Sequence, residues 1–250
     1  MDKKTIMIAL GGNSLSPRGS SGTVGEQFSF TRRTMDHLSE FILKDYNICI
    51  THGNGPQVGN ELLRMDLTND IVPPLPLGIC VANTQGQIGY MVQQTLQNKL
   101  RDLEVDREVV TLVTQVLVDK NDKSIKNPTK FVGARYTKDE IDELAKKLNW
   151  IVKEQEPGSW RRVVPSPMPE YIMHGKSIKA VVDRGTIVIA FGGGGIPVFN
   201  NNNDQIEGID AVIDKDFSAA KMGRIIRAQE LWIISDIDYL YSNFGTENAR

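Results

Sequence analysis

The chain has 250 residues with a formal net charge of −2, a mass of 27.9 kDa and a sequence pI near 6.0. That length suits one large domain, or one domain carrying an insert, built around a substantial core. Hydrophobic residues make up 40% and charged residues 24%, ordinary for a soluble globular protein; the net charge and pI argue against a nucleic-acid or polybasic membrane surface, and no apolar run approaches the roughly 18 residues of a membrane span.

Strand and helix patterns alternate along the chain. Thr5–Leu10 reads as a buried strand. Residues 30–43 carry Met35, Leu38, Phe41 and Ile42 at helical spacing. A strand over 48–51 and a helix over 57–65 follow. The longer helix over 85–103 places Ile88, Met91, Val92, Leu96 and Leu100 on one side. Val109–Val118 reads as one strand. A helix over 178–183, a strand over 187–190, a helix over 217–226 and a strand over 231–235 continue the rhythm. This predicts an α/β fold with a mainly parallel sheet and helices on both faces.

Residues 120–173 break that rhythm. They are polar and hold five of the eleven prolines, with a helical pattern over 138–148 between strand-like stretches at 150–153 and 161–164. Trp150, Trp160, Val163 and Val164 need something to pack on, so the stretch reads as a small inserted subdomain or lid. Asn200–Asn203 reads as a hairpin turn.

Cys49 and Cys80 lack CxxC spacing and lie in apolar settings, which predicts buried thiols in a reducing cytoplasm. His37, His52 and His174 are scattered, so no protein metal centre is expected from them. The N-terminus runs straight into a strand, which predicts no signal peptide.

The chemistry concentrates at three strand-then-glycine junctions. Gly192-Gly193-Gly194-Gly195 follows the strand over 187–190; Gly11-Gly12-Asn13 follows Thr5–Leu10; Gly53-Asn54-Gly55 follows the strand over 48–51. Without Cβ atoms, successive N–H groups can turn toward one phosphate at the ends of a parallel sheet. Taken singly, Gly11-Gly12-Asn13 is equally a tight strand–helix turn. Pro56 opens a helix whose N-terminus favours anions. His52 beside it reads as structural more than as a general base. Asp214-Lys215-Asp216 is either an exposed charge triplet or a lysine held between carboxylates at a helix start, one of which faces Mg²⁺. Lys130 sits on a loop framed by Pro128 and Gly133, either solvated or reaching into a site; Arg161-Arg162 reads as a solvated pair. There is no G-x-S-x-G and no Walker pattern. Phosphate cradles and lysines without a nucleophile–base pair point to phosphoryl transfer, which needs positioning and neutralisation of the moving group.

At this point the motifs resemble a known family. Ile8-Ala-Leu-Gly-Gly-Asn13, Thr51-His-Gly-Asn-Gly-Pro-Gln-Val-Gly59, Asn127-Pro-Thr-Lys130, Trp160-Arg-Arg-Val-Val-Pro-Ser-Pro167, Gly192–Pro197 and Ala211-Val-Ile-Asp-Lys-Asp216 occur in the order found in carbamate kinases of the amino-acid kinase superfamily. The resemblance runs from Met1 to about Gly245 and implies an open αβα sandwich with a protruding subdomain, a cytoplasmic homodimer and a place in arginine metabolism. It implies reversible phosphoryl transfer between carbamoyl phosphate and ADP, giving ATP and carbamate, with Mg²⁺ accompanying ATP/ADP. By position, Gly11, Gly12 and Asn13 would hold the transferred phosphoryl region, and Gly53, Asn54 and Gly55 the carbamate end. Lys130 from the lid and Lys215 would stabilise charge on the phosphoryl group. Asp214 or Asp216 would orient the lysines, with Asp216 preferred. Gly193, Gly194 and Asp214 would flank the nucleotide, with Asp236 and Tyr241 approaching the adenosine. Family members continue through a G-S-M-x-P-K motif that supplies a further lysine; this sequence is expected to be C-terminally incomplete. Another acyl acceptor, or a pseudoenzyme that binds nucleotide or carbamoyl phosphate without turnover, are the competing expectations.

Overall fold

The computed structural model describes residues 3–17 and 19–235. In chain order it contains β1 (Thr5–Leu10), α1 (Gly12–Leu15), α2 (Val24–Leu43), β2 (Asn47–His52), α3 (Gly55–Thr68), α4 (Leu77–Asp102), β3 (Val109–Leu112), β4 (Gln115–Val118), α5 (Lys123–Lys126), β5 (Lys130–Tyr136), α6 (Lys138–Leu148), β6 (Val152–Glu156), β7 (Ser159–Val164), β8 (Pro169–Ile172), α7 (Gly175–Asp183), β9 (Ile187–Ala190), β10 (Ile196–Asn200), β11 (Ile206–Gly208), α8 (Lys215–Ile226) and β12 (Glu230–Ile234).

Five strands form the central sheet in the order β12-β1-β2-β9-β3, every neighbouring pair parallel. Side chains alternate between its two faces, as the strand period requires. Ile6, Ile8 and Leu10 of β1, with Ile48 and Ile50 of β2, pack on Met35 and Leu38 of α2 and Met91 and Leu96 of α4. Met7, Ala9 and Cys49 face the other way, against Ile178 and Val182 of α7 and Met222 and Ile226 of α8. Strands covered on both faces read as unbroken apolar runs, which is why these elements were visible in the sequence.

The single strand expected over 109–118 is two strands in two sheets. β3 ends the central sheet, and β4 joins a second sheet ordered β11-β10-β4-β8. The break has a physical cause. Thr114 N–H donates to the Gln85 side chain, Oε1, at 2.9 Å and so is taken out of the ladder, while the Thr114 hydroxyl turns back to Leu112 O at 2.8 Å. The loop at 200–203 does close a hairpin, β10 pairing antiparallel with β11.

Within 120–173, residues 130–164 make their own antiparallel sheet, β5-β7-β6, with α6 attached. A capping box starts α6: the Thr137 hydroxyl accepts from Glu140 N–H, and the Glu140 carboxylate accepts from Thr137 N–H. The rest of the stretch is shared out, since β8 pairs with β4 in the second sheet. Val132 and Val164 sit in one apolar cluster with Val58 and Leu62 of α3, so this lid sheet is packed onto α3.

Candidate active site

β1, β2 and β9 run parallel, so their C-terminal ends, each followed by a glycine loop, open on the same edge of the sheet. Gly53 N–H donates to Leu10 O at 2.8 Å and Gly11 N–H to Ile234 O at 2.7 Å, which ties the first two loops to the strand ends beside them. A cavity of about 210 Å³ lies over these loops, lined by Gly12, Gly53, Asn54, Gly55, Gly193, Lys130, Arg161 and Lys215, with Pro56, Phe131 and Ile213 as its apolar wall. Three cations from two separate parts of the chain therefore meet two helix N-termini, those of α3 and α8, a setting that attracts phosphate.

The two lysines are held by different carboxylates. Lys130 Nζ donates to Asp214 Oδ2 at 2.5 Å, and Lys215 Nζ to Asp216 Oδ1 at 2.8 Å. Asp214 also caps α8, its Oδ1 accepting from Asp216 N–H at 2.9 Å. Burial works to raise the Asp214 pKa, but Lys130, the bond from Lys130 and the capped N–H outweigh it, and the net shift is downward. Orientation is thus divided between both aspartates rather than resting on Asp216.

The four-glycine loop is braced from inside. Its carbonyls are taken by buried side chains: Phe191 O by the Thr51 hydroxyl at 3.1 Å, Gly192 O by Gln85 Nε2 at 3.0 Å and Gly194 O by the Ser218 hydroxyl at 2.7 Å. Gly193, Gly194 and Gly195 have φ of 66°, 89° and 102°. A Cβ on Gly193 would stand 2.2 Å from Asn54 Nδ2, and one on Gly194 would stand 2.4 Å from Ile213 O. Glycine is demanded here by the protein's own packing, and only Gly193 of the four lines the cavity.

Gly11 and Gly194 lie just behind the lining residues. Asn13 is the second residue of α1, and Asp236 and Tyr241 fall outside the described residues. His52 is 1% exposed, and burial, only partly opposed by its contact with Gly53 O, pushes its pKa down to about 4. It is a neutral packing group behind the Gly192 loop. Cys49 and Cys80 are buried; burial pushes the Cys49 thiol up to about 12. Arg161 is the lining cation that sequence reasoning missed. It donates to Gly133 O at 2.7 Å and to Gln155 Oε1 at 3.1 Å. Its position depends on the docking of the lid sheet, which leaves no local signal; the Trp160-Arg-Arg motif was the one available hint. Among the described residues, no group of three or more His, Cys, Asp or Glu side chains forms a metal cage, and no helix is long and apolar enough to cross a membrane.

The chain is similar to known proteins in sequence and fold. The amino acid kinase family pattern matches residues 4–250. Carbamate kinase of Pyrococcus horikoshii is 45% identical over 244 residues, 97% of this chain and 77% of its own length. The Pyrococcus furiosus carbamate kinase is 44% identical over 249 residues, 99% and 79% of the two lengths. Among solved structures, Giardia lamblia carbamate kinase bound to citric acid superposes with a TM-score of 0.91 at 36% identity, covering 94% of this chain and 76% of that one. The same enzyme bound to AMP-PNP gives a TM-score of 0.85 at 35% identity, with 99% and 78% covered.

Proposed function

The chain belongs to the amino acid kinase family, within it to the carbamate kinases, and we propose that its cavity carries reversible phosphoryl transfer between carbamoyl phosphate and ADP. The observation that carries this reading is the convergence of Lys130, Arg161 and Lys215 on a cavity floored by Gly12, Gly53–Gly55 and Gly193.

In the direction of ATP synthesis, a β-phosphate oxygen of ADP attacks phosphorus. The bond from phosphorus to the carbamoyl oxygen breaks, and carbamate leaves with that electron pair. The moving group spreads negative charge over its equatorial oxygens, so the protein's task is to place and neutralise them. Lys130 and Lys215 supply the charge, each kept in place by its own aspartate. Gly12, Gly53 and Gly55 leave room for the backbone to approach the phosphoryl and carbamate ends. In this reading Gly193 and Gly194 border the nucleotide side; that a nucleotide binds at all is supported by the Giardia enzyme's complex with AMP-PNP.

Mg²⁺ fits this site as an ion carried by the phosphates, because Mg²⁺ commonly takes one or two carboxylates plus substrate oxygens rather than an all-protein cage. Both oxygens of Asp214 are engaged, so Asp216, which bonds Lys215 through Oδ1, would be the carboxylate to hold it, and the ion's chemistry would be to neutralise phosphate charge. A homodimer, a cytoplasmic setting and a place in arginine metabolism belong to the same proposal, on the family resemblance.

A panel of acyl phosphate donors, with calorimetry, tests the reading. Carbamoyl phosphate and ADP together are expected to give ATP, and acetyl phosphate with ADP markedly less. Tight binding of both substrates without turnover would favour a pseudoenzyme instead.

A further inference from the structure

Lys130 and Arg161 both line the cavity, but from the two faces of the lid sheet: adjacent residues of β7 alternate, so Arg162 lies on the face opposite Arg161. Arg162 Nη1 donates to Asp66 Oδ2 at 2.8 Å, and Trp150 Nε1 donates to the same oxygen at 2.7 Å. The Arg162 guanidinium carbon also lies 4.9 Å from the centroid of the Trp150 ring. Asp66 is in α3; Trp150 and Arg162 belong to the lid. One carboxylate oxygen thus gathers two donors that also stack on each other, and Trp150 is only 9% exposed. Charge-assisted bonds in such partly dry surroundings are stronger and more directional than surface pairs.

The register links this cluster to the cavity. Lys130 lies opposite Val164, and Val132 opposite Arg162. Opposed residues share a face of the sheet, so Lys130, Val132, Val164 and Arg162 form one face, with Lys130 and Arg162 on successive rungs roughly 7 Å apart. Val132 and Val164 seat that face on Val58 and Leu62. A second anchor is the backbone contact of Gly59 with Gly133, where a Cβ on Gly59 would stand 1.9 Å from Gly133 Cα. Gly59 and Asp66 are two turns apart on α3, about 10 Å, so the sheet is fixed at two separated points.

We propose that Asp66 is a positioning residue for phosphoryl transfer: by holding Arg162 and Trp150 it sets the tilt of the lid sheet on α3, and thereby the place of Lys130 over the cavity. This rests on the reading of Lys130 as a phosphoryl-stabilising lysine. A misplacement of an ångström at a reacting group costs up to about a hundredfold in rate, so a small tilt is enough to matter.

The test compares Asp66→Ala and Asp66→Asn in the whole chain, each alone and combined with Lys130→Ala, with carbamoyl phosphate, ADP and Mg²⁺. Asp66→Ala is expected to lower kcat about tenfold while KM for ADP stays within about twofold. Asp66→Asn, which keeps an acceptor for Trp150, is expected to recover part of the loss. Once Lys130 is alanine, adding Asp66→Ala is expected to change kcat by less than about twofold, because the group being positioned is gone. Equal losses in both backgrounds, or no loss from Asp66→Ala alone, overturn the proposal. An unchanged kcat in Lys130→Ala alone overturns the reading of Lys130 as well, and so is distinguishable. Trp150 emission, read in a Trp160→Phe/Trp232→Phe background, is expected to shift to the red in Asp66→Ala with the far-UV dichroism unchanged; an unshifted spectrum contradicts the latch in a folded protein.

Discussion

Asp214 divides its two oxygens between two tasks, one capping α8 and the other holding Lys130. The two can be separated. Asp214→Ala loses both and is expected to lower stability by about 1 kcal/mol through the lost cap, together with kcat. Asp214→Asn can still cap, so its melting temperature is expected to stay near that of the parent while kcat falls. Comparable losses of melting temperature in the two variants would count against this division. The aspartate's depressed pKa keeps the Lys130 pair intact above the ordinary value of 3.8, and the pair is lost only as pH falls below it. His52 acts in a higher window. Its folded pKa is about 4 against an ordinary 6.5, so between those values the unfolded chain binds more protons and stability falls as pH falls. From pH 7 to pH 5 this amounts to about 2 kcal/mol. Denaturant melts of His52→Gln should show a flatter pH slope over that window; an unchanged slope would mean that the imidazole is not the group titrating.

At the level of elements, the glycine loop after β9 is built to hold one shape. Thr51, Gln85 and Ser218 each occupy one of its carbonyls, and left-handed backbone angles run through Gly195. Gly194→Ala would place a methyl against Ile213 O at 2.4 Å in a φ region costing 1–3 kcal/mol or so for a non-glycine residue. The variant is expected to melt markedly lower and to bind ADP at least about tenfold more weakly; near-normal calorimetric binding would show that the loop is not part of the nucleotide side. This loop was visible in the sequence as a glycine run, but the reason for the glycines was not. They read as room for a phosphate, and most of that room is filled by Asn54, Ile213, Val116 and His52. β1, β2 and β9 were legible because burial on both faces writes an apolar run. β8, β10 and β11 were not recognised as strands, because Pro169 and Pro197 interrupt the pattern and β11 is exposed throughout. The start of β5 was read as a loop, since Lys130, Gly133 and Arg135 show no alternation; its strand identity comes from pairing with β7. Arg161 and Asp66 escaped for the same reason, since both take their meaning from a docked sheet.

For the whole molecule, the parallel sheet sets the three glycine loops on one edge, and the lid sheet, seated on α3, brings Lys130 and Arg161 over them. Neither part alone makes the cavity: the sandwich contributes Lys215, its aspartates and the loops, while the lid contributes two of the three cations. The central claim is that this assembled cavity moves a phosphoryl group between carbamoyl phosphate and ADP. Coupled ATP formation, measured with Mg²⁺ on the folded chain and on Lys215→Ala, tests it most directly. The account predicts ATP production that requires both substrates and falls by about a hundredfold or more in kcat in the variant, with KM little changed. Absence of ATP from the folded chain with Lys130 and Lys215 intact, or equal turnover by Lys215→Ala, would contradict it.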